Sequence, residues 1–306
     1  MTDNTKMRSG YVAVVGRPNV GKSTLINTLL KQKIAAVSSK PQTTRRRQLG
    51  ILTLPDEGQI IFVDTPGLHV PQHKLGDYMN QEAMEGLTDA DLILWLVDAS
   101  LPLTNEDKLI AERLNAVKNL PHVLIVLSKS DLITEDVLLE RKKTALDLFP
   151  AQDMLAISSV TGSGLPDLMK KVLGVLPFGE AFYDEDIITD YYERDIAAEL
   201  IRESVLFFVR DEVPHCIAVR IDGYKEREED KASVEATIFV ERDSQKGILI
   251  GQGGEMIKKI GIRARQEIES MSGRNVFLDL RVKVNKNWRN SADALQLLGY
   301  FSRKDD

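Results

Sequence analysis

Cysteine is nearly absent: a single one, Cys216, stands in a chain of 306 residues. One thiol excludes any disulfide within the chain and suits a reducing compartment. Set in Cys216-Ile217-Ala218-Val219, it reads as a small apolar core residue. Long hydrophobic runs are missing too, none approaching the ~20 apolar residues that a membrane-spanning helix needs. Met1 to Gly10 is polar and has no apolar leader segment. These absences together predict a cytoplasmic protein. Positive charge is not in excess either. Forty-six Asp and Glu outnumber 40 Lys and Arg, a net charge of −6, so the whole-chain balance does not advertise a nucleic-acid binder. What is present, 43% apolar and 28% charged residues, is ordinary for globular proteins, and the length suffices for two domains.

The most informative stretch is Gly16-Arg17-Pro18-Asn19-Val20-Gly21-Lys22-Ser23, which fits G-x-x-x-x-G-K-[ST], the phosphate-binding loop of nucleotide hydrolases. The apolar run Tyr11 to Val15 precedes it with the length and branching of a buried strand. Thr24 to Leu30 follows with apolar residues at helical spacing. Strand, glycine loop and helix together give backbone N–H groups that turn inward around a phosphate, and a helix N-terminus that favours negative charge. Lys22 is expected to reach the β- and γ-phosphates, and the Ser23 hydroxyl to ligate Mg²⁺. The Asn19 amide oxygen is a candidate ligand for a monovalent cation such as K⁺, whose charge would assist the transition state; its alternative is a plain turn residue.

Residues 31–47 have no apolar period and end in Gln42-Thr43-Thr44-Arg45-Arg46-Arg47. We read a loop that closes over the γ-phosphate, with Thr44 ahead of Thr43 completing the Mg²⁺ shell, against the alternative of a solvated basic loop. Gln48 to Leu54 and Gln59 to Val63 form a predicted hairpin that runs into Asp64-Thr65-Pro66-Gly67. There the Asp64 carboxylate would hold Mg²⁺ through water and the Gly67 N–H would sense the γ-phosphate. Ras-type GTPases place a water-orienting Gln next. Leu68 cannot do that work, so intrinsic hydrolysis should be slow. His69 is a candidate base whose commoner role would be structural.

Leu92 to Asp98 and Val123 to Leu127 read as buried parallel strands, with a helix over 105–118 between them. The second strand ends at Ser128-Lys129-Ser130-Asp131. An Asp here can accept the N1–H and 2-amino hydrogens of guanine, two donors that adenine lacks, while Lys129 lies over the purine. Ser128 stands where GTPases usually have Asn, and its reach is shorter. Met154 to Ile157 is the last strand, and Ser158-Ser159-Val160 after it would set a backbone N–H against guanine O6; Gly162-Ser163-Gly164 opens a helix that ends near Val175. Strands alternating with helices predict a doubly wound, mostly parallel α/β sheet with ligand loops at the strand C-termini.

Leu176 to Glu180 breaks this pattern, so a GTPase domain over 1–176, a linker at 177–186 and a second domain over 187–306 are expected. The second begins with a helix over 190–209 and strands at Cys216–Tyr224 and Ala232–Arg242 around a solvated hairpin tip. Lys246 to Ile250, Gly251-Gln252-Gly253-Gly254 and Glu255 to Arg263 then read as helix, Gly-x-x-Gly loop and helix. A strand over Asn275–Val284 gives the α-β-β-α-α-β order of a type II KH domain, an α+β fold that clamps single-stranded RNA. Residues 251–289 hold nine Lys and Arg against four Asp and Glu, whereas 185–250 hold nine against seventeen. The basic charge, including Lys258 and Lys259, thus collects where phosphate would bind. Trp288 reads as a core or helix-packing residue ahead of a base-stacking one, and 290–300 as a closing helix.

The order of Gly16 to Ser23, Gln42-Thr43-Thr44-Arg45, Asp64 to Gly67, Ser128 to Asp131 and Gly251 to Gly254 resembles the Era family of bacterial GTPases over nearly the whole chain. That resemblance implies GTP and GDP as ligands with Mg²⁺, the 3′ end of 16S rRNA as partner, a role in assembly of the 30S ribosomal subunit, and peripheral contact with the cytoplasmic face of the membrane; a monomer is expected. Ser128 and Ser159-Val160 depart from the family pattern. Two other readings are a GTPase acting on a different RNA and an RNA-binding module with little or no turnover; an ATP-using enzyme is disfavoured by Asp131.

Overall fold

The computed structural model describes residues 7–38, 40, 42–227 and 230–300. Their contacts divide the chain into two units, one of Met1–Gln32, Thr44–Val70 and Met79–Asp190, the other of Lys33–Thr43, Pro71–Tyr78 and Tyr191–Asp306.

The first unit is built on six strands, β1 (Arg8–Val15), β2 (Gln48–Leu54), β3 (Gly58–Asp64), β4 (Leu92–Asp98), β5 (His122–Ser128) and β6 (Asp153–Ala156), in the order β2-β3-β1-β4-β5-β6. Only β2 is antiparallel to its neighbour; the rest pair in parallel. Every residue of β3 and β4 is buried, as a sheet covered on both faces requires. On one face Trp95 sits at the centre of a core with Ala13, Ile93, Ile125, Leu114 and Phe149, the two rings meeting edge to face at 5.7 Å. The chain runs from β1 to β3 on one side and to β4 on the other. The C-terminal ends of these strands therefore open a crevice at the switch in strand order, the place where such sheets bind ligands.

Helices α1 (Lys22–Leu30), α3 (Asn105–Asn115) and α5 (Leu165–Val175) lie where the apolar spacing puts them. Two helices were not anticipated, α2 (Lys74–Thr88) and α4 (Glu135–Leu148). In α2 the buried hydrophobic side chains are Leu75, Met79, Ala83 and Leu87, one per turn, so its apolar stripe is narrow and easily lost among charges.

Residues 177–190 run along the first unit as a strap. The Pro177 carbonyl accepts from Ser9 N–H (3.1 Å) and Gly179 N–H donates to Met7 O (2.9 Å). The Gln59 side chain accepts from Phe182 and Tyr183 N–H, at 2.8 and 3.0 Å. On β2, Ile51 N–H donates to Ile188 O (2.8 Å) and Leu49 N–H to the Asp190 carboxylate (2.9 Å). Asp190 is thereby drawn out of the predicted helix, and α6 begins later, spanning Glu193–Phe208.

The second unit runs α6, β7 (Ala218–Arg227), β8 (Lys231–Val240), α7 (Asp243–Ile250), α8 (Glu255–Ser272) and β9 (Asn275–Val284), the predicted order. Its sheet is β7-β8-β9, antiparallel then parallel. Ile196, Leu200, Ile201 and Val205 of α6 pack with Ile260, Ala264 and Ile268 of α8 over Val234, Ala236 and Ile238 of β8. The hairpin tip is shorter than predicted: Lys225, Glu226 and Arg227 pair with Ser233, Ala232 and Lys231, because solvated charges do not prevent the backbone ladder from continuing. The closing helix is also shorter, α9 spanning Ala292–Leu297 with Ser291 as its cap. Trp288 is fully buried, donates Nε1–H to Cys216 O (2.9 Å) and stacks on Tyr300, so it packs the core rather than a base. Cys216 is buried beside it, as its apolar setting predicts.

Candidate nucleotide site and nucleic-acid interface

The phosphate loop leaves the end of β1 and enters α1 through Gly21, in a left-handed conformation. Lys22 is buried and its ammonium donates to Gly16 O (2.9 Å) and Arg17 O (3.0 Å), which aims it along the inside of the loop. Burial pushes its pKa down to about 8, with the Asp64 carboxylate opposing. A desolvated ammonium aimed into a loop of N–H donors is well placed to bind an anionic phosphate chain. Asn19 takes a positive φ of 65°, the Val20 side chain is buried, and Thr24 O accepts from Thr28 Oγ1 (2.8 Å).

Three predicted Mg²⁺ ligands converge, although they lie on three elements. Ser23 Oγ is 2.8 Å from Asp64 Oδ2 and 3.0 Å from Thr44 Oγ1, and Thr44 Oγ1 is 3.1 Å from the same Asp64 oxygen. Two hydroxyls and a carboxylate are the hard oxygen donors that Mg²⁺ prefers, and this set leaves further positions to phosphate and water. Thr43 instead turns away, its hydroxyl donating to Lys40 O (2.7 Å).

Beyond Asp64, Thr65 Oγ1 donates to Val14 O (2.8 Å) and pins the segment to β1. Pro66 leads to Gly67, which passes so close to the phosphate loop that an added Cβ would lie 2.9 Å from Pro18 N. Leu68 is buried in the core with Ala83 and Leu87, turned into the fold and not toward the nucleotide crevice. His69 Nδ1 lies 2.9 Å from Gly67 O, and Asn80 brackets the His69 backbone. That geometry is structural.

The base loop follows β5. Ser128 Oγ donates to Val20 O (2.7 Å) and lies 3.2 Å from Val97 O, so the shorter hydroxyl still reaches the phosphate loop. Lys129 takes φ 58° and its ammonium meets Asp98 Oδ2 at 2.7 Å. Asp131 is exposed in the short turn Ser130–Leu132. Ser130 N–H donates to Ile157 O (3.1 Å), which ties this loop to the next. There Ser158 Oγ accepts from Thr161 N–H (3.1 Å), Ser159 O accepts from Thr28 Oγ1 (3.3 Å), and Val160 is exposed.

Sequence reasoning missed the acidic pair beneath these loops. Arg17 lies 3.5 Å from Asp98 and 3.4 Å from Asp107, and Asp107 forms the capping box of α3 with Thr104. Burial works to raise the Asp98 carboxyl, but hydrogen bonds from Lys129 and Ser100 outweigh it and hold it below the usual carboxylate range. The available signal was an Asp closing an apolar strand, the same position in β4 that Asp64 holds in β3.

In the second unit Gly251 closes α7 at φ +72°, and a Cβ there would lie 2.9 Å from Met256 N. Gln252 and Gly253 are exposed, Gly254 opens α8, and Lys258 and Lys259 are exposed one turn on. An open groove of about 360 Å³ lies between α8 and β9, lined by residues that include Ile257, Lys258, Ile262, Arg265, Phe277 and Leu280. Apolar walls with a cationic rim suit unstacked bases and their phosphates. Among these only Lys258 was anticipated, because the others share a surface only once α8 and β9 are packed. Within the same unit, Glu203 of α6 binds Lys33 (2.8 Å) and accepts from Val37 N–H (3.0 Å).

Comparison with known proteins agrees with both halves. Residues 11–129 match the family described as 50S ribosome-binding GTPase, and 212–289 match the KH domain. GTPase Era of Geobacter sp. (strain M21) is 45% identical over 295 residues, 96% of this chain and 98% of that protein. The chain belongs to the Era family of GTPases. GTPase Era of Ruminiclostridium cellulolyticum is likewise 45% identical, over 97% of this chain and 99% of its own length. Two solved Era structures, each 40% identical and covering 97% of this chain and all of theirs, superpose with TM-scores of 0.92 and 0.91. The first is Era in complex with MgGDPNP and nucleotides 1506–1542 of 16S ribosomal RNA, the second an Aquifex aeolicus Era variant bound to GDP·AlF4⁻. Membership in the Era family makes this chain a GTPase that binds GTP and GDP and hydrolyses the triphosphate.

Proposed function

We propose that the protein is a GTP-driven switch that binds the 3′ end of 16S rRNA and assists assembly of the 30S subunit. The observation that carries this reading is the 0.92 superposition, over 97% of the chain, on an Era bound to that RNA. The proposed division is a GTPase domain over 1–176, a linker over 177–186 and an RNA-binding domain over 187–306.

In this reading residues 16–24 cradle the phosphates, and Ser23, Thr44 and Asp64 hold Mg²⁺, which neutralises charge on the β- and γ-phosphates. Gly67 senses the γ-phosphate, Asp131 and Lys129 select guanine, and Ser159 N–H meets its O6. Gly251 to Gly254 with Lys258 and Lys259 clamp the RNA backbone, and bases lie in the groove beside α8. GTP orders the segments around Thr44 and Gly67 and favours RNA binding; hydrolysis relaxes them. Linkage then requires RNA to tighten GTP binding by the same factor. No described helix is long and apolar enough to cross a membrane. The setting we propose is a monomer in the cytoplasm, with peripheral membrane contact as the resemblance implies.

The test is GTP turnover by the purified protein with and without an RNA carrying the 16S 3′ end. Stimulation is expected; turnover that ignores an RNA which does not bind would overturn the RNA reading. A second measurement addresses the buried Leu68, which leaves the water and the transition-state charge without a side-chain partner at that position. Asn19, in the phosphate loop, would supply a K⁺ in compensation. Turnover should be several-fold faster in KCl than in NaCl at equal ionic strength, and equal rates would remove the cation from the mechanism.

A further inference from the structure

The nucleotide loops rest on a buried carboxylate with more partners than a structural Asp needs. Asp98 ends β4, and its side chain is 2% exposed. Oδ1 accepts from Ser100 N–H (3.0 Å) and Ser100 Oγ (2.5 Å). Oδ2 takes two cations of the site, Lys129 at 2.7 Å and Arg17 at 3.5 Å. Lys129 comes from the base loop and Arg17 from the phosphate loop, and the two positive groups share one oxygen. Arg17 has a second anchor in Asp107. For Lys129, Asp98 is the one ion-pair partner among the described residues.

We infer that Asp98 is a positioning residue for the base: it fixes the Lys129 ammonium so that the lysine stem lies flat where the purine face rests. This rests on the reading of Ser128 to Asp131 as the base loop. A lysine stem covers an apolar surface only if its head is held at the far end. Without the carboxylate, Lys129 and Arg17 would face each other as like charges, and the freer lysine would swing toward solvent, since Arg17 keeps Asp107. The base would lose its cover while the carboxylate of Asp131, which reads the guanine edge, stayed in place. Asp98 therefore sets how tightly any purine binds, and Asp131 sets which purine it is.

The experiment is a double-mutant cycle on the full-length protein, with dissociation constants for GDP and for IDP, whose base lacks the 2-amino group. Asp98→Asn and Lys129→Met should each weaken GDP by about tenfold, the effect of one charge-assisted contact. The double variant should bind no worse than Lys129→Met alone, because contacts acting through one another are not additive. The GDP to IDP ratio should stay at its wild-type value in all three. Ser100→Ala, which removes one donor to Asp98 with little risk to folding, should give a smaller loss that also vanishes in the Lys129→Met background. Additive losses, or a collapsed GDP to IDP ratio in Asp98→Asn, would overturn the inference by showing that Asp98 supports the fold or the Asp131 turn. Lys129→Met with wild-type affinity would instead remove the base-loop reading on which the inference stands.

Discussion

Asp131→Asn should weaken GTP and GDP binding by about a hundredfold to ten thousandfold and transfer the preference to xanthine nucleotides. Guanine presents two adjacent donors, N1–H and the 2-amino group, to an anion, and hydrogen bonds to a charged group contribute about 1.5–3 kcal/mol each. Losing both costs about 3–6 kcal/mol, and each 1.4 kcal/mol is tenfold. An asparagine amide offers one acceptor and one donor. It matches the N1–H and 2-carbonyl of xanthine as the carboxylate matches guanine. Asp131 and Leu132 are exposed, and among the described residues Asp131 bonds to no other element, so the fold should survive. Competition of GDP, XDP and ADP against a fluorescent nucleotide measures this. Unchanged GDP affinity would mean that Asp131 does not read the base.

Gly253→Asp should lower affinity for the 16S 3′-end RNA by about ten- to a hundredfold, leave basal GTP turnover intact and abolish its stimulation by RNA. A carboxylate about 5 Å from a phosphate at a protein surface costs about 1–3 kcal/mol. The position isolates the charge effect. A Cβ at Gly253 would meet nothing within 4 Å, and φ +59° is one that Asp tolerates better than most residues. The same change at Gly251 would be ambiguous, because its Cβ would strike the Met256 backbone. RNA binding at two salt concentrations, beside a thermal unfolding curve, separates lost contact from lost fold. Wild-type RNA affinity in this variant would place the RNA elsewhere.

The parts legible in the sequence share a physical cause. Gly16 to Ser23, Asp64 to Gly67 and Ser128 to Asp131 stand out in the sequence because each is a short run of particular residue types at fixed spacing. The meeting of Ser23, Thr44 and Asp64 within 3.1 Å was anticipated too, because a single metal would need all three. Asp98 escaped because its partners, Arg17 and Lys129, are 81 and 31 positions away and no local pattern marks them. The groove beside α8 escaped for the same reason, its walls coming from two elements. Trp288 was ambiguous because aromatic packing and base stacking use the same ring; the Nε1–H bond to Cys216 O decides between them. Helix α2 went unnoticed because one buried residue per turn is a faint signal.

The strap over 177–190 bears on how the molecule behaves among its own copies. An outermost strand ordinarily displays a row of unused amides and carbonyls, an invitation to pair with another chain and to aggregate. In β2 the outward amides of Leu49 and Ile51 are already taken by Asp190 and Ile188. The acidic stretch that carries those partners also surrounds the edge with negative charge. A segment that looks in sequence like a mere tether thus covers a sticky border, leaving fewer free amides there for another copy to pair with.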